Sequence, residues 1–318
     1  MVLLMVLLLV GVMAAIAVLV LDDVRFTTRR VRNVETASMA QWYAISAERL
    51  ARRQIRRLHD ANPQRTPTVP EWNGRSMSFP IDNGALRVSL EDGQSCFNLN
   101  SVTEDAAGVR VAREAGIAQL SLLATLVGVS EPQAVTIANS AADWIDSDRA
   151  TRPFGGEDEA YSDLAQPRRT PGVMMVEVTE LRTVRGVDEA AYRALRPYLC
   201  ALPTTQLSPL NVNTLSPQDA PLLAMIGGGL IPVQAAQRAI ANAPAGGWDS
   251  VAAFWSQPAL RGMTPPQSVQ DQVTVQTRYF NFRADVAYLD GEAIRTGLFE
   301  IGKDNRIRTV ISRWTAEE

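Results

Sequence analysis

The most conspicuous pattern along the chain is an unbroken apolar run at its start. From Met1 to Leu21 there is no charged residue and no proline. About 20 apolar residues in a helix that rises about 1.5 Å per residue span a hydrocarbon core of about 30 Å. A secretory signal has a shorter apolar core behind a basic segment, and none precedes the run in this sequence. The pattern therefore predicts a transmembrane anchor over residues 1–21 rather than a cleaved signal.

The helical pattern continues well past the apolar run. No glycine or proline occurs between Thr27 and Asp60. Apolar residues recur there at steps of three and four, the period of one helix face: Val34, Ala37, Ala44, Ala47, Ala51, Ile55 and Leu58. The remaining faces carry arginines, which we interpret as a solvated face rather than a site for nucleic acid or acidic lipid: Arg49, Arg52, Arg53, Arg56 and Arg57. We predict one helix over residues 1–60.

Period-two alternation, typical of half-buried strands, occurs in two places far apart in the chain. Near the first place, the turn sequence Asp82-Asn83-Gly84 precedes an alternating strand. At the second, residues 273–318 contain three or four further β-prone runs. Neither set forms a stable sheet alone. We therefore predict one antiparallel sheet domain, built from residues 61–100 and 271–318 and split by an inserted domain at 101–270.

The insertion has mainly helical periodicity, in short stretches separated by glycine or proline. A motif of Asn, an apolar residue, Asn and Ser or Thr occurs at 98–101 and again at 211–214. Each copy precedes a helix-capping pattern, which predicts two similar helical modules, SAM-like or helix-hairpin-helix-like. In the second module, DNA-binding relatives would use the amides of the hairpin Gly227-Gly228-Gly229 with nearby Lys or Arg. Here Arg238 is the closest basic residue, so we expect a structural module.

The composition restricts the classes of function. The net charge of −3 and the isoelectric point near 5.5 give no general bias toward polyanions. His59 is the only histidine, which excludes histidine-based metal clusters and most Ser-His-Asp catalysis; because it lies among arginines on a polar helix face, we interpret it as a solvated side chain. Cys96 and Cys200 are the only cysteines. Their number fits either one disulfide in an oxidising compartment or two buried thiols.

Carboxylates are concentrated in one stretch of the insertion. Seven of them lie within the 21 residues from 143 to 163, and they repel one another unless a cation or arginines offset their charge. Hard oxygen ligands on a flexible loop suit Ca²⁺, which takes about six to eight oxygens. An EF-hand is excluded, because Thr151 replaces its glycine and Pro153 interrupts the loop. We predict a calcium site of another type. The alternatives are the carboxylate pair of a glycoside hydrolase and a solvated acidic loop paired with arginines: Arg149, Arg152, Arg168 and Arg169.

Several short motifs, taken in their order and spacing, resemble one family. Besides the apolar start, they are Phe97-Asn98-Leu99-Asn100, Asp143-Trp144-Ile145-Asp146-Ser147-Asp148, Gly155-Gly156-Glu157-Asp158 with Tyr161, Leu202-Pro203 after Cys200, and Asn211-Val212-Asn213-Thr214. Over nearly its whole length the chain resembles the large minor pseudopilin of bacterial type II secretion systems, the general secretion pathway protein K family.

The resemblance implies an α+β, pilin-like fold: a long N-terminal helix, an antiparallel sheet and a large, mainly helical domain inserted into the sheet. It also implies that a prepilin peptidase cuts a short basic leader and methylates the new N-terminus, which corresponds to Met1; the sequence is then the processed form or has a late start. Arginines close behind the anchor favour a cytoplasmic location for that end, but the leader outweighs them: Arg25, Arg29, Arg30 and Arg32. We expect a single-pass inner-membrane protein with its N-terminus in the cytoplasm and its C-terminal domain in the periplasm.

The resemblance further implies a structural rather than enzymatic role at the tip of a periplasmic pseudopilus. There the protein would initiate or cap assembly with the minor pseudopilins I and J, for protein export across the outer membrane. The major pseudopilin and the inner-membrane assembly platform are the other implied partners. Major pseudopilins carry a glutamate at mature position 5 that meets a neighbouring N-terminus. Met5 stands at that position here, which fits a subunit with no neighbour above it.

Two site assignments also come from the resemblance. The family binds calcium in the inserted domain, and its ligands fall on five carboxylates: Asp146, Asp148, Glu157, Asp158 and Asp163. Periplasmic exposure implies a disulfide between Cys96 and Cys200.

Two other classes of function remain open at this point. One is a membrane-anchored helix-hairpin-helix protein that binds DNA in a competence apparatus; the acidic isoelectric point and the lysine-free hairpin oppose it. The other is a metal-dependent hydrolase built on the acidic stretch, which lacks a histidine and a recognisable nucleophile. We expect a protein that does not bind nucleic acid and is not an enzyme.

Overall fold

The computed structural model describes residues 1–69, 71–163, 166–263 and 265–315. Its helices are α1 (Val2–Ala61), α2 (Glu114–Leu126), α3 (Glu131–Ile145), α4 (Asp158–Ser162), α5 (Glu189–Leu195), α6 (Ala220–Ile226), α7 (Val233–Ala241), α8 (Val251–Trp255) and α9 (Gln267–Gln270). Its strands are β1 (Ser76–Ile81), β2 (Gly84–Asp92), β3 (Phe97–Asn98), β4 (Thr103–Ala106), β5 (Val109–Ala112), β6 (Leu199–Cys200), β7 (Leu210–Asn211), β8 (Val273–Thr274), β9 (Tyr279–Tyr288), β10 (Gly291–Ile301) and β11 (Ile307–Arg313).

The apolar run and the amphipathic stretch form one continuous helix, α1, as the sequence predicts. Its first buried residue is Thr36. Burial begins there because the start of β10, at Gly291, approaches the backbone of Thr36. Val34 was expected in the buried stripe, and this expectation is wrong. Its side chain is 62% exposed, since the sheet does not reach that far along the helix.

The main sheet joins two segments of the chain that the insertion separates. It is antiparallel throughout, with the strand order β1-β2-β9-β10-β11. The junction is the pairing of β2 with β9, which runs from Gly84 opposite Tyr288 to Asp92 opposite Phe280. The expectation of one sheet assembled from distant strands is confirmed.

Small side chains let α1 lie close to one face of this sheet. Ala40, Ala44 and Ala47 are fully buried, and they belong to one hydrophobic core with aromatic residues of β9 and β10 such as Phe282 and Phe299. Closely packed interiors of this kind respond to a change of even one methylene group. The alanine stripe therefore sets the distance between helix and sheet.

One buried carboxylate adds a charged contact between α1 and the sheet. The carboxylate of Glu48 lies 2.7 Å from a guanidinium nitrogen of Arg295 in β10 and 2.9 Å from one of Arg52. Burial acts to raise the pKa of Glu48, but hydrogen bonds from Arg295 and Arg52 outweigh it, so the pKa lies below its ordinary value. Glu48 therefore stabilises the docking of α1 in its charged form.

The segment between β2 and β9 has a second, separate hydrophobic core. Helices α2, α3, α6 and α7 supply much of it, together with Phe97 and Leu99. A hairpin of β4 and β5 stands between the first asparagine motif and α2. The expectation that a helix follows this motif directly is wrong, because the chain first pairs Thr103 with Ala112 across the hairpin.

The two asparagine motifs fold in the same way. In both, the first asparagine accepts a hydrogen bond from the backbone of the second, at 3.2 Å for Asn98 and 3.0 Å for Asn211. Both also begin in a short parallel strand pair, β3 with β6 and β7 with β8.

The second asparagine of each motif clamps a distant backbone with both ends of its amide. The side chain of Asn100 accepts the N–H and donates to the carbonyl of Met175. The side chain of Asn213 does the same with Trp248. The internal repeat is therefore a repeated clamp that organises each helical segment.

Candidate functional site

The acidic stretch forms its site at the end of α3. Asp143 lies in the last turn of this helix and Asp146 directly follows it; both are almost fully buried. The chain then loops outward through Asp148 and returns to place Glu157 at the start of α4. The sequence predicted a flexible acidic loop. The structure instead turns three of its carboxylates, those of Asp143, Asp146 and Glu157, into the protein.

Backbone contacts hold the loop in this form. The backbone N–H of Arg152 donates to Oδ2 of Asp143 at 3.2 Å, and Arg185 donates to the carbonyl of Gly155 at 2.6 Å. A Cβ atom on Gly155 would lie 2.1 Å from Oδ2 of Asp143. Any other residue at position 155 would force the carboxylate of Asp143 to move, which gives a physical reason for glycine beside the acidic residues.

Three carboxylates converge at this place. One oxygen each from Asp146, Asp148 and Glu157 lies within 4.8 Å of the other two. Asp148 is exposed, whereas Asp146 and Glu157 are buried. Among the described residues, these are the carboxylates whose oxygens come together in a group that can hold a metal ion.

Several of the buried oxygens have no donor. Oδ1 of Asp146, Oε1 of Glu157 and Oδ1 of Asp143 are buried without a hydrogen-bond partner. The other oxygen of Glu157 accepts a hydrogen bond from the hydroxyl of Thr170 at 2.8 Å. A buried polar atom without a partner costs about 1–3 kcal/mol, and more when it is charged. The arrangement therefore leaves an unmet demand for positive charge.

The pKa values of the buried carboxylates reflect this lack of nearby positive charge. Burial, followed by the charges of Asp148 and Asp143, raises the pKa of Asp146 to about 7. Burial raises the pKa of Glu157 as well, with the nearby Asp143 adding to the effect. Asp158 differs, because hydrogen bonds from Thr170 lower its pKa. The charged forms of Asp146 and Glu157 are thus unfavourable, whereas hydrogen bonds from Thr170 already stabilise the charged form of Asp158.

The residues fit a hard divalent cation. Carboxylate oxygens of Asp146, Asp148 and Glu157 would hold it, since hard cations prefer oxygen ligands and one oxygen of each buried residue lacks a hydrogen-bond partner. Asp143 lies close enough to affect both buried carboxylates. Asp143 was not among the ligands predicted from the sequence, although its spacing of three from Asp146 at a helix end puts both on one face.

The two remaining predicted ligands lie differently. Asp158 bonds to Thr170 through Oδ1 and its Oδ2 lies 3.6 Å from the exposed Arg149. Asp163 is exposed and accepts a hydrogen bond from the neighbouring Ser162. Neither belongs to the group of converging oxygens among the described residues.

The predicted disulfide is present, between Cys96 and Cys200. The two cysteines are 104 residues apart in the sequence, and the bond ties the junction between sheet and insertion to the end of the insertion's first half. The nearby Asp92 is partly buried and accepts hydrogen bonds from Thr214 and Thr277. Burial raises the pKa of Asp92. The junction between sheet and insertion is therefore fixed by a covalent bond and a partly buried hydrogen-bond network.

The first turns of α1 are free of contacts. Met1 is fully exposed and Met5 is 75% exposed. In the described part of the chain, α1 is the helix long and apolar enough to cross a membrane, and none of its apolar window is buried. Both predicted positions therefore lie on the anchor, outside the folded core.

The predicted glycine hairpin lies between α6 and α7. Gly228 and Gly229 have φ values of 59° and 88°, in the left-handed region that favours glycine. Arg238 is exposed, and its guanidinium donates to the carbonyl of Gln234 on the same helix. The geometry has helix, hairpin and helix in the predicted order; the SAM-like classification stays a prediction.

Comparison with sequence families gives a consistent result. Two family models, both described as "Type II secretion system (T2SS), protein K", match residues 95–204 and 210–276. The chain is 30% identical over 304 residues to type II secretion system protein K of Pectobacterium carotovorum subsp. carotovorum, covering 94% of this chain and 91% of the relative. It is 31% identical over 313 residues to the protein K of Aeromonas hydrophila, covering 96% and 94%.

The fold is also similar to a solved structure. A chain in the crystal structure of the GspK-GspI-GspJ complex from the enterotoxigenic Escherichia coli Type 2 Secretion System aligns with a TM-score of 0.79 and 26% identity. The alignment covers 90% of this chain and 99% of the solved one. The similarity thus extends over both the sheet and the inserted segment.

Proposed function

Because the chain belongs to the protein K family of the type II secretion system and is one of its minor pseudopilins, we propose that it occupies the tip of the pseudopilus. There it initiates or caps assembly together with the minor pseudopilins I and J, in protein export across the outer membrane. The observation that carries the proposal is the match of fold over nearly the full length of a chain solved in complex with two such proteins. The family is a structural component of the secretion machinery and not a family of enzymes.

Two features support a place at the tip. The insertion has its own hydrophobic core beside that of the sheet, so the chain carries far more bulk than a helix and a sheet. Position 5 of the chain carries the apolar Met5. A carboxylate in lipid is costly unless it meets a partner charge, and a subunit with none above it has no use for one. The major pseudopilin and the assembly platform of the inner membrane are the further partners in this proposal.

We also propose that the acidic site binds calcium. Asp146, Asp148 and Glu157 supply oxygens, with Asp143 as an additional buried carboxylate beside them. Asp158 and Asp163 remain candidates for outer positions. When bound, the ion would neutralise the repulsion among these groups and fix the end of α3 to the start of α4. Its role is structural.

The topology completes the proposal. α1 spans the inner membrane once, through residues 1–21, with its N-terminus in the cytoplasm and the rest of the chain in the periplasm. The disulfide fits that oxidising compartment. A prepilin peptidase is a further partner in this proposal. The chain divides into the helix of residues 1–60, a sheet domain of 61–100 and 271–318, and an inserted domain of 101–270.

The test is assembly with the minor pseudopilins I and J of the same secretion system. The full-length chain is co-expressed with both, extracted in mild detergent and analysed by size-exclusion chromatography with light scattering. We expect a stoichiometric complex of three proteins, and less of it after chelation of calcium. A chain that stays alone beside competent I and J refutes the tip assignment. Retention of DNA at low salt would then favour the DNA-binding alternative.

A further inference from the structure

The periplasmic half of α1 presents a strongly cationic face to solvent. Arg49, Arg53, Arg56 and Arg57 are all exposed. None of them forms an ion pair with a carboxylate in the described ranges, whereas the neighbouring Arg52 pairs with Glu48. Four unpaired positive charges within three helical turns contrast with the net charge of −3 of the whole chain.

The face points directly away from the sheet and carries an aromatic residue. At about 100° per residue, Arg49, Arg53 and Arg56 lie within about 40° of Trp42 around the helix axis. The buried alanines, such as Ala44, lie on the opposite side. Trp42 is 63% exposed. The four side chains form a straight strip about 20 Å long at a rise of about 1.5 Å per residue. Arg57 lies beside them, about 60° from Trp42 around the helix axis. We call Trp42, Arg49, Arg53, Arg56 and Arg57 the cationic strip.

The strip destabilises the isolated helix, and no contact within the described residues offsets this effect. Arginines at spacings of three and four, such as Arg53 with Arg56 and Arg49 with Arg53, repel by about 0.2–0.5 kcal/mol for each pair. The helix macrodipole favours positive charge only in the last turn, which begins near Leu58 in α1. The exposed Trp42 likewise contributes little buried apolar surface to the folded chain. Aromatic residues and arginine are the side chains enriched where protein interfaces form.

The position of the strip decides which class of partner it meets. Arg49 follows Leu21, the end of the apolar run, by 28 residues, which is about 42 Å along a helix. The surface potential of a membrane decays within about 8–10 Å at physiological salt. Acidic lipid is therefore out of reach for an upright helix. A straight strip of arginines at helical spacing is complementary to carboxylates at the same spacing on another helix.

We propose that the cationic strip is the docking surface for an acidic helical face of a neighbouring subunit in the assembled tip, with Trp42 as its apolar anchor. This inference rests on the proposed function. The arginines act mainly by steering and orienting the partner, so the association depends on ionic strength.

The test compares matched charge reversals in the full-length chain in detergent, with the minor pseudopilins I and J as the binding partners. The variant R49E/R56E reverses two charges of the strip. The control R238E/R261E makes the same change in net charge at two other exposed arginines. The variant R49K/R56K keeps the charge. Thermal unfolding of each variant alone confirms that the fold is retained.

We expect R49E/R56E to weaken association by about tenfold or more, while R238E/R261E and R49K/R56K stay within about threefold of the wild type. Wild-type affinity should fall as NaCl rises, and that of R49E/R56E should fall less. Equal binding by both reversal variants overturns the inference and leaves the proposed function intact. The inference is also overturned if R49E/R56E loses binding to phosphatidylglycerol vesicles or to duplex DNA but keeps its binding to I and J. Wild-type protein that binds neither partner overturns both.

Discussion

Replacing Asp146 by asparagine tests the acidic site most sharply, because it should have opposite effects with and without calcium. One oxygen of Asp146 lies within 4.8 Å of oxygens of both Asp148 and Glu157. At that distance and an effective dielectric constant of about 20, each pair of full charges repels by about 3 kcal/mol. Solvent around the exposed Asp148 reduces one of these interactions. The Asp146→Asn substitution should therefore stabilise the calcium-free protein by about 2 kcal/mol.

Calcium should reverse the order. An ion at about 100 times its dissociation constant stabilises the folded state by about 2.7 kcal/mol. For a unit of about 170 residues, this raises the melting temperature by roughly 5–10 °C. The Asp146→Asn variant loses an anionic ligand and most of that gain. The assay is thermal unfolding at a pH of about 8, above the pKa of Asp146, in chelator and in a series of calcium concentrations, together with calorimetric titration of calcium.

Asp163→Asn is the matched control, since Asp163 is exposed and outside the converging group. It should melt like the wild type in both conditions. A full calcium response in Asp146→Asn, or destabilisation by the same amount with and without calcium, would refute the reasoning. An Asp163 variant that loses the response would instead show that the ligand set extends further than the converging oxygens.

Three further predictions concern the contacts between α1 and the sheet and the disulfide. Glu48→Gln should destabilise the protein by about 2 kcal/mol at neutral pH. Because Arg295 and Arg52 hold the pKa of Glu48 below its ordinary value in the folded state, the difference should be fully present at neutral pH and vanish as acid protonates the wild-type residue. Urea unfolding at several pH values that finds no such convergence contradicts the ion-pair account. Replacing Cys96 and Cys200 together by serine should lower the free energy of unfolding by about 3–5 kcal/mol, because the bond closes a loop of 104 residues. The measurement is denaturant unfolding against the oxidised wild type. An unchanged midpoint would mean that the disulfide does not constrain the unfolded chain. Ala44→Leu should cost about 1–3 kcal/mol by overpacking the helix against the sheet. Val34→Leu, beyond the end of the sheet, should be neutral in the same melting experiment. Equal effects of the two substitutions would argue against the close packing of α1.

Much of the architecture was predictable because it depends on local periodicity. The apolar run and the alanine stripe indicate a single long helix, and the alternation on either side of the insertion indicates strands. A sheet needs several strands to be stable, so the two distant sets had to meet. The asparagine motifs also carried their own turn geometry, since Asn98 and Asn211 bond to the backbone two residues further on.

The limits of these patterns appear at their edges. Periodicity places Val34 on the same face as Ala44, but burial depends on how far the sheet extends, and the sheet ends near Thr36. In the same way, the hairpin between the first asparagine motif and α2 is set by pairing between β4 and β5. Such contacts are invisible to any pattern that repeats along one segment.

The acidic site shows the difference most clearly. The sequence by itself determined that carboxylates concentrate between residues 143 and 163 and that oxygen ligands are available there for a hard cation. Only the tertiary structure decided that Asp143, Asp146 and Glu157 turn inward while Asp163 stays in solvent. The reason is physical: the charge of a residue is fixed by its chemistry, but its desolvation depends on the neighbours that the whole fold packs around it.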